Sequence, residues 1–227
     1  VQSAAQITAG NTGTVTITGQ GGSGTGGSNY GVYVNNTDAK VTSGGGSITL
    51  TGKEGSGPNS YGLVTATANA SITTAANGGN ITLIANSMDI GTGTSVSANS
   101  SSSVTLRPFT NNIQTNLGAA SNTLGGPLSL SDTELDLVTA GSIIVGSASS
   151  DDITVSAGIS RATATNMSLV SAGDVLISEG GINTGGGTLL LASPAAVKPT
   201  FPNTDVTAST LSFASDLSIV INGTAPN

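Results

Sequence analysis

Apolar and polar positions alternate in short bursts along the chain, and most bursts have one form: an apolar residue, a hydroxyl residue, an apolar residue. They are Val15-Thr16-Ile17, Ile48-Thr49-Leu50, Ile81-Thr82-Leu83, Val104-Thr105-Leu106, Leu128-Ser129-Leu130, Ile153-Thr154-Val155, Met167-Ser168-Leu169, Leu211-Ser212-Phe213 and Leu217-Ser218-Ile219. A period of two sends the two apolar side chains to one face of a strand and the hydroxyl to the other. Bounded by Gly and Asn, these fragments predict an all-β chain and argue against helices.

The bursts recur at a fixed interval. Val15, Ile48 and Ile81 stand 33 residues apart both times, and "TVTITGQGGSGTGGSNYGVYV" from Thr14 resembles "SITLTGKEGSGPNSYGLVT" from Ser47. The resemblance includes the pairs Tyr30-Gly31 and Tyr61-Gly62. In the second half "LDLVTAGSIIVG" from Leu135 matches "MSLVSAGDVLIS" from Met167, and "LSFASDLSIVIN" from Leu211 follows 44 residues later. The excess falls at "SPAAVKPTFPNTDVTAS", where Pro194, Pro199 and Pro202 cannot donate to a ladder. Residues 195–208 are therefore expected to be a loop insertion leaving the body.

Repeats of this length without helices point to a solenoid or a propeller, and a propeller blade needs four antiparallel strands and aromatic signatures that are missing here. The expected fold is a parallel β-helix, a β-solenoid over residues 1–227 as a single domain, with Gly-rich loop excursions at "GQGGSGTGGSN" and "GKEGSGPNS". In it Val15, Ile48 and Ile81 form one inward column and Ile17, Leu50 and Leu83 the next, with Thr16, Thr49 and Thr82 outside.

Composition narrows the function. Charged residues make up 7% and aromatic residues 3%, so the core must be narrow and aliphatic. Twelve acids against five bases (Lys40, Lys53, Arg107, Arg161 and Lys198) give a net charge of -7, which argues against nucleic acid. No apolar run approaches the length of a membrane span. The absence of Cys leaves the redox compartment open, though secreted bacterial repeat proteins commonly lack it. The chain opens "VQSAAQ" and stops at "GTAPN", which reads as an excerpt of something longer.

From Val104 to Ile159 the sequence resembles a module of giant repetitive secreted bacterial proteins, the filamentous-haemagglutinin-like and β-strand-repeat adhesins. The matching phrases are Val-Thr-Leu-Arg-Pro from Val104, Asn116–Gly118, Leu130–Leu135, Val138–Gly141 and Ile153–Ser156, and they cover about a quarter of the chain. The resemblance implies a right-handed parallel β-helix, secreted to the bacterial cell surface or beyond it and used for adhesion, matrix or filament building.

Parallel β-helices also carry carbohydrate-active enzymes, which need carboxylates clustered with an acid, a base or calcium. The densest acidic group is Asp132, Glu134 and Asp136 in "SDTELD", expected on the solvent side of one strand. Asp132 and Glu134, with Asp151 and Asp152 from a neighbouring coil, are the candidates for a weak calcium site; no other cofactor is indicated. Arg107 is expected to be structural, forking to Asp132 or Glu134 beside Pro108. The chain has no His for proton transfer, no Cys nucleophile and no Trp for sugar stacking, so it is not expected to be an enzyme. The glycine runs fit neither calcium-binding nonapeptides nor phosphate loops.

Ice binding is a further alternative, since Thr16-x-Thr18 and Thr49-x-Thr51 would stack as a grid, but the third repeat reads Thr82-Leu83-Ile84. Six Asn-x-Ser/Thr sequons, at Asn35, Asn69, Asn80, Asn99, Asn166 and Asn222, follow from the composition. The expectation is an extracellular structural or adhesive solenoid. It would make weak cell-surface or polysaccharide contacts, and would either continue in a giant chain or self-associate head to tail through the uncapped phrases "AAQITAG" and "LSIVING".

Overall fold

The structure, a computed structural model, describes residues 1–118, 122, 124–178, 180–194, 208 and 210, together with the backbone of 196–199, 206–207, 211–214 and 218–219. It is almost wholly β, and all the strand pairings described are parallel. Five sheets hold the described strands. The largest contains Val15–Gln20, Ile48–Lys53, Ile81–Ile84, Ser103–Arg107, Ser142–Gly146, Asn166–Val170, Thr188–Ala192 and Thr210–Ala214, in chain order. A second sheet runs through Gln6–Ala9, Lys40–Ser43, Ser71–Thr74, Ser95–Ser97 and Val138–Thr139, and a third through Val32–Asn35, Leu63–Ala66 and Met88–Ile90. The remaining two sheets belong mainly to the second half of the chain.

The repeated phrase is the register of the largest sheet. Val15 pairs with Ile48, then in turn Ile81, Val104, Ile143, Met167, Leu189 and Leu211. Alongside run Ile17, Leu50, Leu83, Leu106, Val145, Leu169, Leu191 and Phe213. Ile48, Leu50, Ile81 and Leu83 are completely buried, while Thr49 and Thr82 on the opposite face keep partial exposure. Val15 is buried but Ile17 only partly so, because Val15–Gln20 is an edge strand with a neighbour on one side. Burial on one face only is what lets these parallel strands keep an alternating sequence instead of a continuous apolar run.

Close approach of backbones explains two of the glycines. Gly31 N donates to Tyr61 O at 3.0 Å and Val32 N to Gly62 O at 2.8 Å, so the two Tyr-Gly pairs lie in register just ahead of neighbouring strands. A Cβ on Gly52 would overlap the carbonyl oxygen of Gly62, which leaves no room for any side chain there.

Two expectations are corrected. "SDTELD" is not a strand: Asp132–Asp136 forms a short helix, α1, in which Leu135 is the buried residue. Ser131 Oγ accepts from Glu134 N at 3.2 Å, and Glu134 Oε2 accepts from Ser131 N at 2.8 Å. This reciprocal cap satisfies backbone donors that a strand edge would leave open, and it outweighs the alternation of acidic and other residues. In the 195–208 stretch, residues 195 and 200–205 lie outside the described residues. The described backbone is not a loop leaving the body: Ala196–Pro199 pairs with Val175–Ile177, and Val206–Thr207 with Ile182–Asn183. Pro199 stands at the last position of its strand. Of the closing phrase "LSIVING" only Ser218–Ile219 is described, paired with Ala196 and Val197.

Candidate functional site

All three tyrosines of the chain meet at one place. The matched Tyr-Gly pairs set Tyr30 over Tyr61, with ring centroids 6.2 Å apart and planes inclined by 25°. Tyr33, on the outward side of Val32–Asn35, packs against Tyr30 at 4.7 Å and 56°. Each ring is partly exposed. The same sheet carries the register Tyr33, Val64, Asp89, so an aspartate stands two strands from Tyr33 in line with it.

Tyr61 and Asp89 form one side of a groove of about 410 Å³, and α1 forms the other through Ser131, Thr133 and Glu134. Asn122 closes part of it, donating from Nδ2 to Met88 O at 2.6 Å and accepting from Ser129 N at 3.0 Å. Glu134 bridges the two sides: Oε1 accepts from Ile90 N at 3.1 Å, while Oε2 takes Ser131 N and Ser131 Oγ, each at 2.8 Å. Its carboxylate is thus committed to holding the groove in shape. Among the described residues, the Asp89 carboxylate and the hydroxyls of Tyr61, Thr92 and Thr133 make no hydrogen bond. No Lys or Arg lines the groove among those residues.

The electrostatics follow from that placement. Asp89 is half-buried, and burial pushes its carboxyl above the ordinary value of 3.8. Tyr61 is raised from 10.0 by burial first, then by the negative charge of Asp89, with Tyr30 and Glu134 adding to it. Tyr33 is raised by burial, then by Tyr30 and Asp89.

The acids singled out from the sequence do not converge. Asp132 Oδ1 accepts from Ser160 N at 2.8 Å, Asp152 Oδ1 accepts from Asp174 N at 2.7 Å, and Glu134 faces the groove. Asp151 donates its backbone N–H to Ile113 O and lines a different depression. Among the described residues no three of His, Cys, Asp and Glu gather as a metal set. Arg107 does not fork to Asp132 or Glu134; its Nη1 lies 3.4 Å from the carbonyl of Pro108. The guanidinium that engages α1 is that of Arg161, which pairs with Asp136 at 3.0 Å. Tyr33, Asp89 and Asn122 carried no signal that singled them out. The repeated Tyr-Gly pair was the visible trace of the site, and "SDTE", a capping-box spelling, was the trace of its second wall. Compared with protein-family models, curated proteins and solved structures, the chain matches none of them.

Proposed function

We propose that the chain is a right-handed parallel β-helix serving as a structural or adhesive β-solenoid at a bacterial cell surface, where it builds a fibre, filament or matrix. The observation that supports this is the unbroken register from Val15 to Leu211 through eight parallel strands. Such stacking lets each repeat lie on the previous one, about 4.8 Å away. Parallel strands of one sheet joined by crossovers take the right hand in about 98% of cases. A body stitched by so many backbone ladders is suited to bearing load. Its outer faces offer small hydroxyls, such as the column Thr16, Thr49, Thr82 and Thr105, for many weak contacts.

The alternatives draw less support. The neighbouring column, Thr18, Thr51, Ile84 and Arg107, breaks the threonine grid that ice binding would need. Hydrolysis of a glycosidic bond ordinarily needs two available carboxyl groups. In the groove Glu134 is fully engaged, which leaves Asp89 alone and favours binding over chemistry. The test is immunogold labelling of source cells with an antibody against residues 1–227. Labelled fibres or a labelled surface layer are expected; label confined to the cell interior would sink the proposal.

A further inference from the structure

We infer that the groove between Tyr61 and α1 is a binding site for a neutral saccharide, which lies against the Tyr61 ring and hydrogen-bonds to Asp89, Thr92 and Thr133. This deepens the adhesive reading and rests on it for the biological setting, though not for the geometry.

Four observations converge. First, half of the six aromatic side chains are gathered in one partly exposed patch, although an aliphatic core has no use for them there. Tyr30, itself packed against Tyr33, braces Tyr61, the ring that lines the groove. A braced aromatic face is a low-entropy platform for the apolar face of a sugar ring. Second, Asp89 is half-buried and unpartnered among the described residues. In the free protein water meets this carboxylate, and the donors of an incoming ligand can take that water's place. Sugar hydroxyls are such donors. Third, the free hydroxyls of Thr92, Thr133 and Tyr61 can both give and accept, which suits a polyhydroxy ligand. Fourth, the volume of about 410 Å³ lies within the range of small-molecule clefts, about 300–1,000 Å³.

The charge pattern selects among saccharides. With Asp89 and Glu134 present and no Lys or Arg among the described residues that line the groove, uronates and sulfated or phosphorylated glycans are repelled. A quaternary ammonium ion would instead require rings enclosing it. Here Tyr30 and Tyr61 are stacked on one another, and only Tyr61 reaches the groove.

Because the chain has no Trp, its intrinsic fluorescence comes from these tyrosines. The experiment titrates the full 227-residue chain with cellohexaose, mannohexaose and chitohexaose, with oligogalacturonate, and with tetramethylammonium chloride, each to millimolar concentration. A saturable change in tyrosine emission with at least one neutral hexasaccharide is expected, with none for the other two probes. Isothermal titration calorimetry reads the variants without the reporter ring: Tyr61→Ala should abolish binding and Tyr61→Phe should keep most of it, each with an unchanged far-ultraviolet circular dichroism spectrum. Asp89→Asn should weaken binding about tenfold or more, as loss of a charged hydrogen-bond acceptor does, while raising thermal stability. No response to any neutral hexasaccharide, a stronger response to oligogalacturonate or tetramethylammonium, or unchanged affinity in Asp89→Asn would overturn the assignment. Binding in solution is independent of where the protein resides, so failure here is distinguishable from failure of the surface labelling.

Discussion

Arg161 and Asp136, 25 residues apart in the chain, are joined at 3.0 Å between Nη1 and Oδ1, and Arg161 Nη2 donates to Val138 O at 2.8 Å. The guanidinium side chain is only 7% exposed, against 48% for Asp136. One residue earlier, Ser160 N donates to Asp132 at the other end of α1. Glu134 between them holds Ile90 N. The helix is therefore tied at both ends to the segment around Ile159–Ser160 and at its middle to Met88–Ile90, which fixes the width of the groove.

Asp136→Ala strips the covered guanidinium of its counter-charge, and Arg161 Nε already lacks a partner among the described residues. A wholly buried broken pair costs about 3–5 kcal/mol. Because Asp136 is half solvated, the expected loss is about 1–3 kcal/mol, measured by urea denaturation. A change within about 0.5 kcal/mol, the range of an ordinary surface substitution, would show that the tie contributes nothing.

The two faces of Ile48–Lys53 should respond differently. Leu50 is fully buried within the register from Ile17 to Phe213, so Leu50→Ala should cost about 2–5 kcal/mol through lost transfer energy and a residual cavity. Thr49→Ala, on the outer face, should stay within about 0.5 kcal/mol. Ile48→Asp should unfold the neighbouring repeats, since an ionised carboxylate has no partner in that aliphatic interior. Equal effects from Leu50→Ala and Thr49→Ala in chemical denaturation would contradict the inward–outward assignment.

Much of this sheet was legible because the signal is local and repeated. Val15, Ile48 and Ile81 share both a phrase and an interval, and stacking in parallel register turns equal intervals into one column. Legibility failed where a local rule was overridden or where the partner lay far away. "SDTELD" alternates like a strand, yet Ser131 and Glu134 cap a helix turn there. Pro199 suggested a loop, yet the strand Ala196–Pro199 simply ends on it. The groove needed Asp89 to be set in line with Tyr33 through Val64, and Tyr61 to face a helix some 70 residues later. No spacing rule encodes that meeting. The expected fork from Arg107 to Asp132 or Glu134 failed for the same reason: the acid a guanidinium meets is decided by how distant repeats pair, and α1 meets Arg161.

Gly52→Ala tests the close approach that sets Tyr30 over Tyr61. The new Cβ would overlap the Gly62 carbonyl, a backbone atom that can yield only by moving its strand. The expected loss is about 1–3 kcal/mol or more, together with a change in tyrosine emission as the Tyr61-Gly62 pair shifts. Gly24→Ala is the control, because a Cβ there meets nothing within 4 Å. Equal melting temperatures for the two variants would contradict the packing.

Asp89 links stability to pH with a definite sign. Its carboxyl is raised in the folded protein by burial, while in the unfolded chain it returns to the ordinary 3.8. Between those two values the native state holds more protons than the unfolded state, so this residue makes stability fall as pH rises through the window. Below 3.8 the group is neutral in both states and the penalty vanishes. Asp89→Asn removes the ionisable group, so the variant should be more stable than the parent at neutral pH and should lose that advantage as pH falls below the window. Denaturation curves of both proteins across pH 3 to 7 check it. The same substitution should lower the tyrosine ionisation points of Tyr61 and Tyr33 only in part, because burial is the larger cause in each. A parent protein whose stability relative to Asp89→Asn rises with pH would reverse the sign. It would mean that the carboxylate has a donor in the fold, and would remove the reason for expecting one from a ligand.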